Sequence, residues 1–177
     1  MRVLVTGALN PVGAAVVRAL SAAGHEVRAF GVPHGEDPFH GLAGVECFPG
    51  DVAIGGSIEP VASECKAVVH TSSLDAPGKD KKAHGIKVER GTLYTRYAAE
   101  RELVERFVCI LPQSPEPSWM KATDAAETHV KGTKAIVPTT ILRGSGKDAE
   151  GTAKEVMRIL GKAKATTASA APVAAGH

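Results

Sequence analysis

A doubly wound α/β fold with a mostly parallel, Rossmann-like sheet is predicted by three observations. Short apolar runs recur along the chain, separated by helical periodicity or by loops rich in glycine and proline. The first run, from Arg2 to Val5, consists of β-formers with almost unbroken apolar character, as expected of a parallel strand covered on both faces. A tight turn at Thr6, Gly7 and Ala8 follows, and then a helix start, with Asn10 as cap and Pro11 at the first helical position.

From Val12 to Leu20 the residues are small or aliphatic, so this helix can lie close on a sheet, and Gly24 serves as its stop. Glu26 to Phe30 alternates into a second strand, Gly31 to Leu42 is loop, and Val45 to Phe48 is a third short strand closed by Pro49, Gly50 and Asp51. Ser57 to Glu64 fits one short helix, and Ala67 to His70 a fourth, buried strand. Ala76 to Gly85, with Lys79, Lys81 and Lys82, is expected as an exposed, mobile loop. Helical spacing runs from Val88 to Glu105, with Leu93, Tyr97 and Val104 on one side. Phe107 to Leu111 is strand five, Pro112 to Ser118 a proline-rich loop, and Lys121 to Val130 a helix. Ala135 to Leu142 is strand six, and Glu150 to Leu160 a closing helix. A single domain over residues 1–161 is expected, with an Ala-rich, aperiodic and disordered tail over 162–177.

With 177 residues, the chain is long enough for a sizeable core without disulfides or metal. A net charge of +2, with dispersed basic residues, does not suggest a nucleic-acid partner, and no uncharged run is long enough for a membrane span. Cys47, Cys65 and Cys109 sit singly in or beside apolar segments and read as free thiols of a cytoplasmic protein. His34, Glu36, Asp37 and His40 share a loop without metal-ligand spacing, so no metal site is expected.

Strand, glycine turn and helix form the unit that presents backbone N–H groups and a helix N-terminus to a pyrophosphate. The expected ligand is therefore a dinucleotide, with Gly7, Ala8, Asn10, Pro11, Val12 and Gly13 forming the turn around it. Asp51, with Val52 after it, stands where it would cap the next helix. Thr71 and Ser72 follow the fourth strand, where they would line the far end of the ligand; for Gly7 and Gly13 the alternative is a plain packing requirement.

An ordered series of segments resembles the NAD-dependent epimerase/dehydratase branch (extended or atypical members) of the short-chain dehydrogenase/reductase superfamily. Val3–Ala8 with Gly13 resembles its TGxxGxxG turn, Gly24–Arg28 its second strand, and Gly44–Glu46 with Pro49–Val52 its third strand and adenine-contacting Asp. Val68–His70 resembles the fourth strand, Arg90–Leu93 with Ala98–Glu100 the long helix lining the cofactor, Glu105–Ile110 strand five and Thr140–Arg143 strand six. The likeness covers roughly residues 1 to 145 and implies NAD or NADP as cofactor.

Departures from the pattern bear on function. Asn10 replaces the middle glycine, a place where Asn would tolerate positive φ. Phe30–Pro33 has neither the acid of NAD-specific members nor the base of NADP-specific ones, so preference is unreadable. The family uses a Ser after strand five and a Tyr-x-x-x-Lys in the next helix. Here Leu111 and Pro112 stand at the Ser position, Lys121 matches the Lys, and Pro117 occupies the place of Tyr. A slipped alignment brings Ser114 into the Ser role; Tyr94 and Tyr97 lie in the earlier helix, and Tyr97 has Arg101 four residues on. The helix Asn of the family is replaced by Lys87 or Val88, and the sequence stops soon after strand six, where the family's substrate-binding part would follow.

Three functions remain open. The first is a catalytically degenerate NAD(P)-binding protein with a sensor, regulatory or accessory role. The second is an NAD(P)-dependent oxidoreductase or sugar-nucleotide epimerase, with His70, Ser114 or Lys121 as proton donor. The third is a structural protein without nucleotide, joined to a protein partner or a second copy through the crevice or the region of Trp119 and Met120.

Overall fold

The computed structural model describes residues 1–132 and 136–161. Six strands form one sheet: β1 (Arg2–Thr6), β2 (Glu26–Phe30), β3 (Val45–Phe48), β4 (Ala67–His70), β5 (Arg106–Pro112) and β6 (Thr139–Gly144). Their order is β3-β2-β1-β4-β5-β6, and every pairing is parallel. The chain winds outward from β1 to β3 and then crosses back to β4. This leaves a topological switch point between β1 and β4, where Val3 pairs with Ala67 and Thr6 with His70.

Helices cover both faces. On one, α1 (Pro11–Ala22) packs against α5 (Ala149–Leu160) over a core that includes Val3, Val5, Val16, Leu20, Ile110 and Val156. On the other, α3 (Lys81–Arg101) packs against α4 (Met120–Lys131) over Leu4, Val68, Phe107 and Leu111, with the short α2 (Glu59–Ala62) alongside. Successive strand residues point to opposite faces, so an apolar run such as Val3-Leu4-Val5 supplies both cores at once. Among the described residues, no helix is long and apolar enough to cross a membrane.

Several sequence expectations are corrected. The lysine-rich stretch from Ala76 to Gly85 is loop only to Asp80. There Asp80 Oδ1 accepts from the amides of Lys82 and Ala83, at 2.9 and 3.0 Å, and starts α3 at Lys81. The helix ends at Arg101, because Leu103 turns left-handed (φ 49°), and Val104 is buried outside it. Tyr97 is 52% exposed; the buried face carries Val88, Thr92, Thr95 and Ala99 instead. The short helix is Glu59–Ala62 rather than Ser57–Glu64, ended by the left-handed Glu64. Ladder pairing of β6 begins where Phe107 N–H donates to the Pro138 carbonyl (2.9 Å), so Ile136 and Val137 precede the strand. The expected start at Ala135 and the expected disordered tail lie outside the described residues.

Candidate functional site

Two cavities open along the carboxyl ends of the strands and share Asp75 and Ala76. The first, about 390 Å³, lies at the switch point beside the start of α1. Of the residues expected there, Gly7, Asn10, Pro11, Val52 and Ser72 line it. Ala8, Val12, Gly13 and Thr71 are buried behind its wall. Asp51 stands beside the cavity rather than in it, and its carboxylate accepts from the Ala53 amide at 2.9 Å.

The turn is held from within. Gly7 has φ 68°, and a Cβ there would come within 2.7 Å of the Ser72 backbone. A Cβ on Gly13 would sit 2.1 Å from the Gly7 carbonyl oxygen. Both glycines are thus demanded by the chain's own packing, whatever the cavity holds.

Asn10 does not adopt the positive φ expected of it. Its backbone is extended (φ −72°, ψ 159°), and its side chain caps α1, Oδ1 accepting from the Gly13 amide at 2.9 Å. Nδ2 donates to the Thr71 carbonyl (2.9 Å), Thr71 Oγ1 (3.1 Å) and Asp75 Oδ1 (2.9 Å). Thr71 Oγ1 in turn donates to the carbonyls of Thr6 (2.7 Å) and Gly7 (3.1 Å). Asn10 therefore staples β1, α1 and the segment after β4 together. In the first turn of α1, Pro11 has no N–H and the Gly13 amide is taken by Asn10, which leaves Val12 as the amide without an acceptor from the chain.

His70 lies under this seam with no exposed surface. The Thr92 hydroxyl donates to the Val88 carbonyl (2.7 Å), so it accepts from His70 Nε2 (3.1 Å), and Nδ1 is left to accept from Thr6 Oγ1 (2.8 Å). Burial, helped by the nearby Lys87 charge, lowers the His70 pKa to about 3, so the ring is neutral. It opens into neither cavity.

The second cavity, about 650 Å³, lies at the ends of β5 and β6. Ser114 lines it, together with His84, Glu116, Trp119, Ser145 and Lys147. Lys121 is exposed on the first turn of α4 and lines neither cavity. Trp119 is buried, its ring 4.8 Å from that of His84 in an edge-on arrangement. Neither tyrosine reaches the crevice: Tyr94 packs beside Gly55, and Tyr97 faces solvent.

Sequence reasoning missed five residues that matter here. Gly31 and Gly50, at the ends of β2 and β3, line the first cavity with positive φ (92° and 154°); the space beside Gly31 is open, whereas a Cβ on Gly50 would strike the Phe30 ring at 2.3 Å. Each followed an apolar strand, which was a usable signal. Asp75 and Lys87 also line the cavity and form an ion pair at 2.9 Å, for which the sequence carries no signal. His84 was hidden because its segment was read as loop; as part of α3 it is buried, and burial lowers its pKa. Among the described residues no group of three or more His, Cys, Asp or Glu could hold a metal.

No protein-family model and no curated protein matches the sequence. Comparison of the structure with solved structures does find relatives. One is a short-chain dehydrogenase/reductase superfamily protein from Agrobacterium tumefaciens with bound NAD: TM-score 0.66, 25% identity, 81% of this chain and 48% of that one. Another is the Bordetella bronchiseptica enzyme WbmG in complex with NAD: TM-score 0.69, 20% identity, 81% and 52%. A third is the UDP-glucuronic acid 4-epimerase of Bacillus cereus in complex with NAD: TM-score 0.63, 18% identity, 81% and 55%. The chain spans about half the length of these structures. Its fold is the Rossmann fold of the short-chain dehydrogenase/reductase and epimerase structures, in agreement with the resemblance read from the sequence.

Proposed function

We propose that this chain is a single nucleotide-binding domain, residues 1–161, that takes NAD or NADP in the first crevice and acts as a sensor, regulatory or accessory protein. The observation that carries the reading is the open cavity at the β1/β4 switch point, walled by Gly7, Pro11, Gly31, Val52 and Ser72. The bound NAD of the similar structures supports the cofactor class. The residues fit such a group in part. Gly31, whose missing side chain leaves open space, admits it closely, and Ser72 on the cavity wall offers a hydroxyl. Nicotinamide, when bound, supplies hydride acceptance or donation.

Support for the degenerate reading comes from the residues at the second crevice. A Tyr–Lys pair works because the cation lowers the Tyr pKa next to the substrate oxygen. Here Pro117 and a solvent-facing Lys121 stand in those places, and the tyrosines lie elsewhere. Free thiols at Cys47, Cys65 and Cys109 agree with a reducing, cytoplasmic setting.

A second reading, an oxidoreductase with an unusual proton acceptor, rests on His84. Among the described residues it is the one histidine that lines the second crevice, and burial lowers its pKa. His70, completely enclosed between two threonines, offers a substrate no proton.

The test is calorimetric titration and thermal shift with NAD(H) and NADP(H). Micromolar binding is expected, and Pro11→Asp is expected to abolish it. Pro11 is exposed on the cavity wall, so a carboxylate there opposes a phosphate without disturbing the core. Gly13→Asp would be uninformative, since its Cβ collides with the Gly7 carbonyl. Absence of binding at millimolar ligand would move the function to a protein partner or a second copy.

A further inference from the structure

We propose that Asp75 is the specificity-determining residue of the first crevice, a built-in carboxylate that disfavours pyrophosphate-bearing ligands against uncharged nucleosides. The inference rests on the nucleotide reading above. The start of α1 carries the positive end of the helix dipole, and an anionic ligand is drawn to that place. In this chain the place is answered internally. Asn10 Nδ2, at the cap of α1, donates to Asp75 Oδ1 at 2.9 Å, and Asp75 Oδ2 pairs with Lys87 Nζ at 2.9 Å. Asp75 and Lys87 both line the cavity, and their side chains are only 22% and 36% exposed, so water screens them incompletely.

Two consequences oppose a pyrophosphate. The Asp75 carboxylate repels it, and the one lysine in the cavity wall is already engaged by that carboxylate. The supply of backbone donors is thin as well, with no N–H on Pro11 and the Gly13 amide capped. An adenine nucleoside without phosphates meets none of this opposition, because the walls near Gly31, Gly50 and Val52 are uncharged.

The experiment is calorimetric titration of the full chain with NAD⁺, ADP-ribose and adenosine. Three proteins are compared: the natural one, Asp75→Asn and Lys87→Gln. Asparagine keeps the oxygen that accepts from Asn10, so folding is retained, with an unchanged thermal midpoint as the control. Asp75→Asn removes the repulsion and frees Lys87, and is expected to tighten NAD⁺ and ADP-ribose about tenfold or more while adenosine changes less than about twofold. Lys87→Gln leaves the carboxylate uncompensated and is expected to weaken both pyrophosphate ligands. Equal affinity of the natural protein and Asp75→Asn for NAD⁺, or equal gains for adenosine, would overturn the inference while leaving the nucleotide reading intact. Absence of binding by every ligand to all three proteins would remove that reading and the inference with it.

Discussion

The two crevices share one edge of the sheet and differ in how much of their chemistry the fold itself consumes. In the first, Gly7, Gly13, Asn10 and Thr71 are committed to one another. Their close approaches and hydrogen bonds join segments more than sixty residues apart in sequence, such as Asn10 and Thr71 at a separation of 61. In the second, Ser114, Glu116, Ser145 and Lys147 hang from loops and single turns, and a Cβ on Gly146 would meet only Pro11, at an ordinary contact distance of 3.4 Å. The contrast teaches that a glycine turn with a familiar pattern can be retained for packing alone, while the region where chemistry would be done is free to change.

The largest expected effect is a direct trial of that contrast. Gly13→Ala puts a Cβ at 2.1 Å from the Gly7 carbonyl oxygen and should destabilise by about 3 kcal/mol or more. Gly146→Ala places its Cβ 3.4 Å from Pro11 Cγ and should change stability by less than about 0.5 kcal/mol. Chemical denaturation of both variants measures this; similar losses would break the distinction between the two regions.

Acid titration is next in size. Folded His70 stays neutral down to about pH 3, whereas the unfolded chain binds its proton near the ordinary value of 6.5. The stability contributed by the neutral ring is complete above pH 6.5 and is lost as pH falls from there towards 3, with a slope of about 1.4 kcal/mol per pH unit for one proton. Unfolding free energy measured from pH 7 to 4 should show this slope, and His70→Gln should flatten it. An unaltered slope in the variant would place the acid sensitivity elsewhere.

The smallest pair sharpens the comparison on polar groups. Asn10→Ala removes the cap of α1 and the link to Thr71 and should cost about 1–2 kcal/mol. Ser114→Ala, on the wall of the second crevice, should lie within about 0.5 kcal/mol of the natural protein. Thermal midpoints of the two variants give the answer directly.

Much of the architecture was legible because burial leaves a local trace. Val3 to Val5, Val68 to Val69 and Phe107 to Leu111 each face a core on both sides, so their apolar runs announce parallel strands. The start of α3 has a local cap signal in Asp80 before Lys81, but three nearby lysines give the stretch the polarity of a loop. The buried side of α3 is hard to read because the helix is polar nearly all round; small residues such as Gly91 and Ala99, not a large one such as Tyr97, let it approach the sheet.

The site divides in the same way. The sequence by itself determined that a strand, a glycine turn and a capped helix follow one another from Arg2 to Leu20, since propensity, capping and turn chemistry act within a few residues. Only the tertiary structure decided what the polar groups of that turn do. Asn10 finds Thr71 and Asp75, Asp75 finds Lys87, and His70 finds Thr6 and Thr92, at separations from 12 to 65 residues. Hydrogen bonds and ion pairs depend on ångström-scale placement of side chains from different elements, and no local pattern encodes that placement before the sheet has formed.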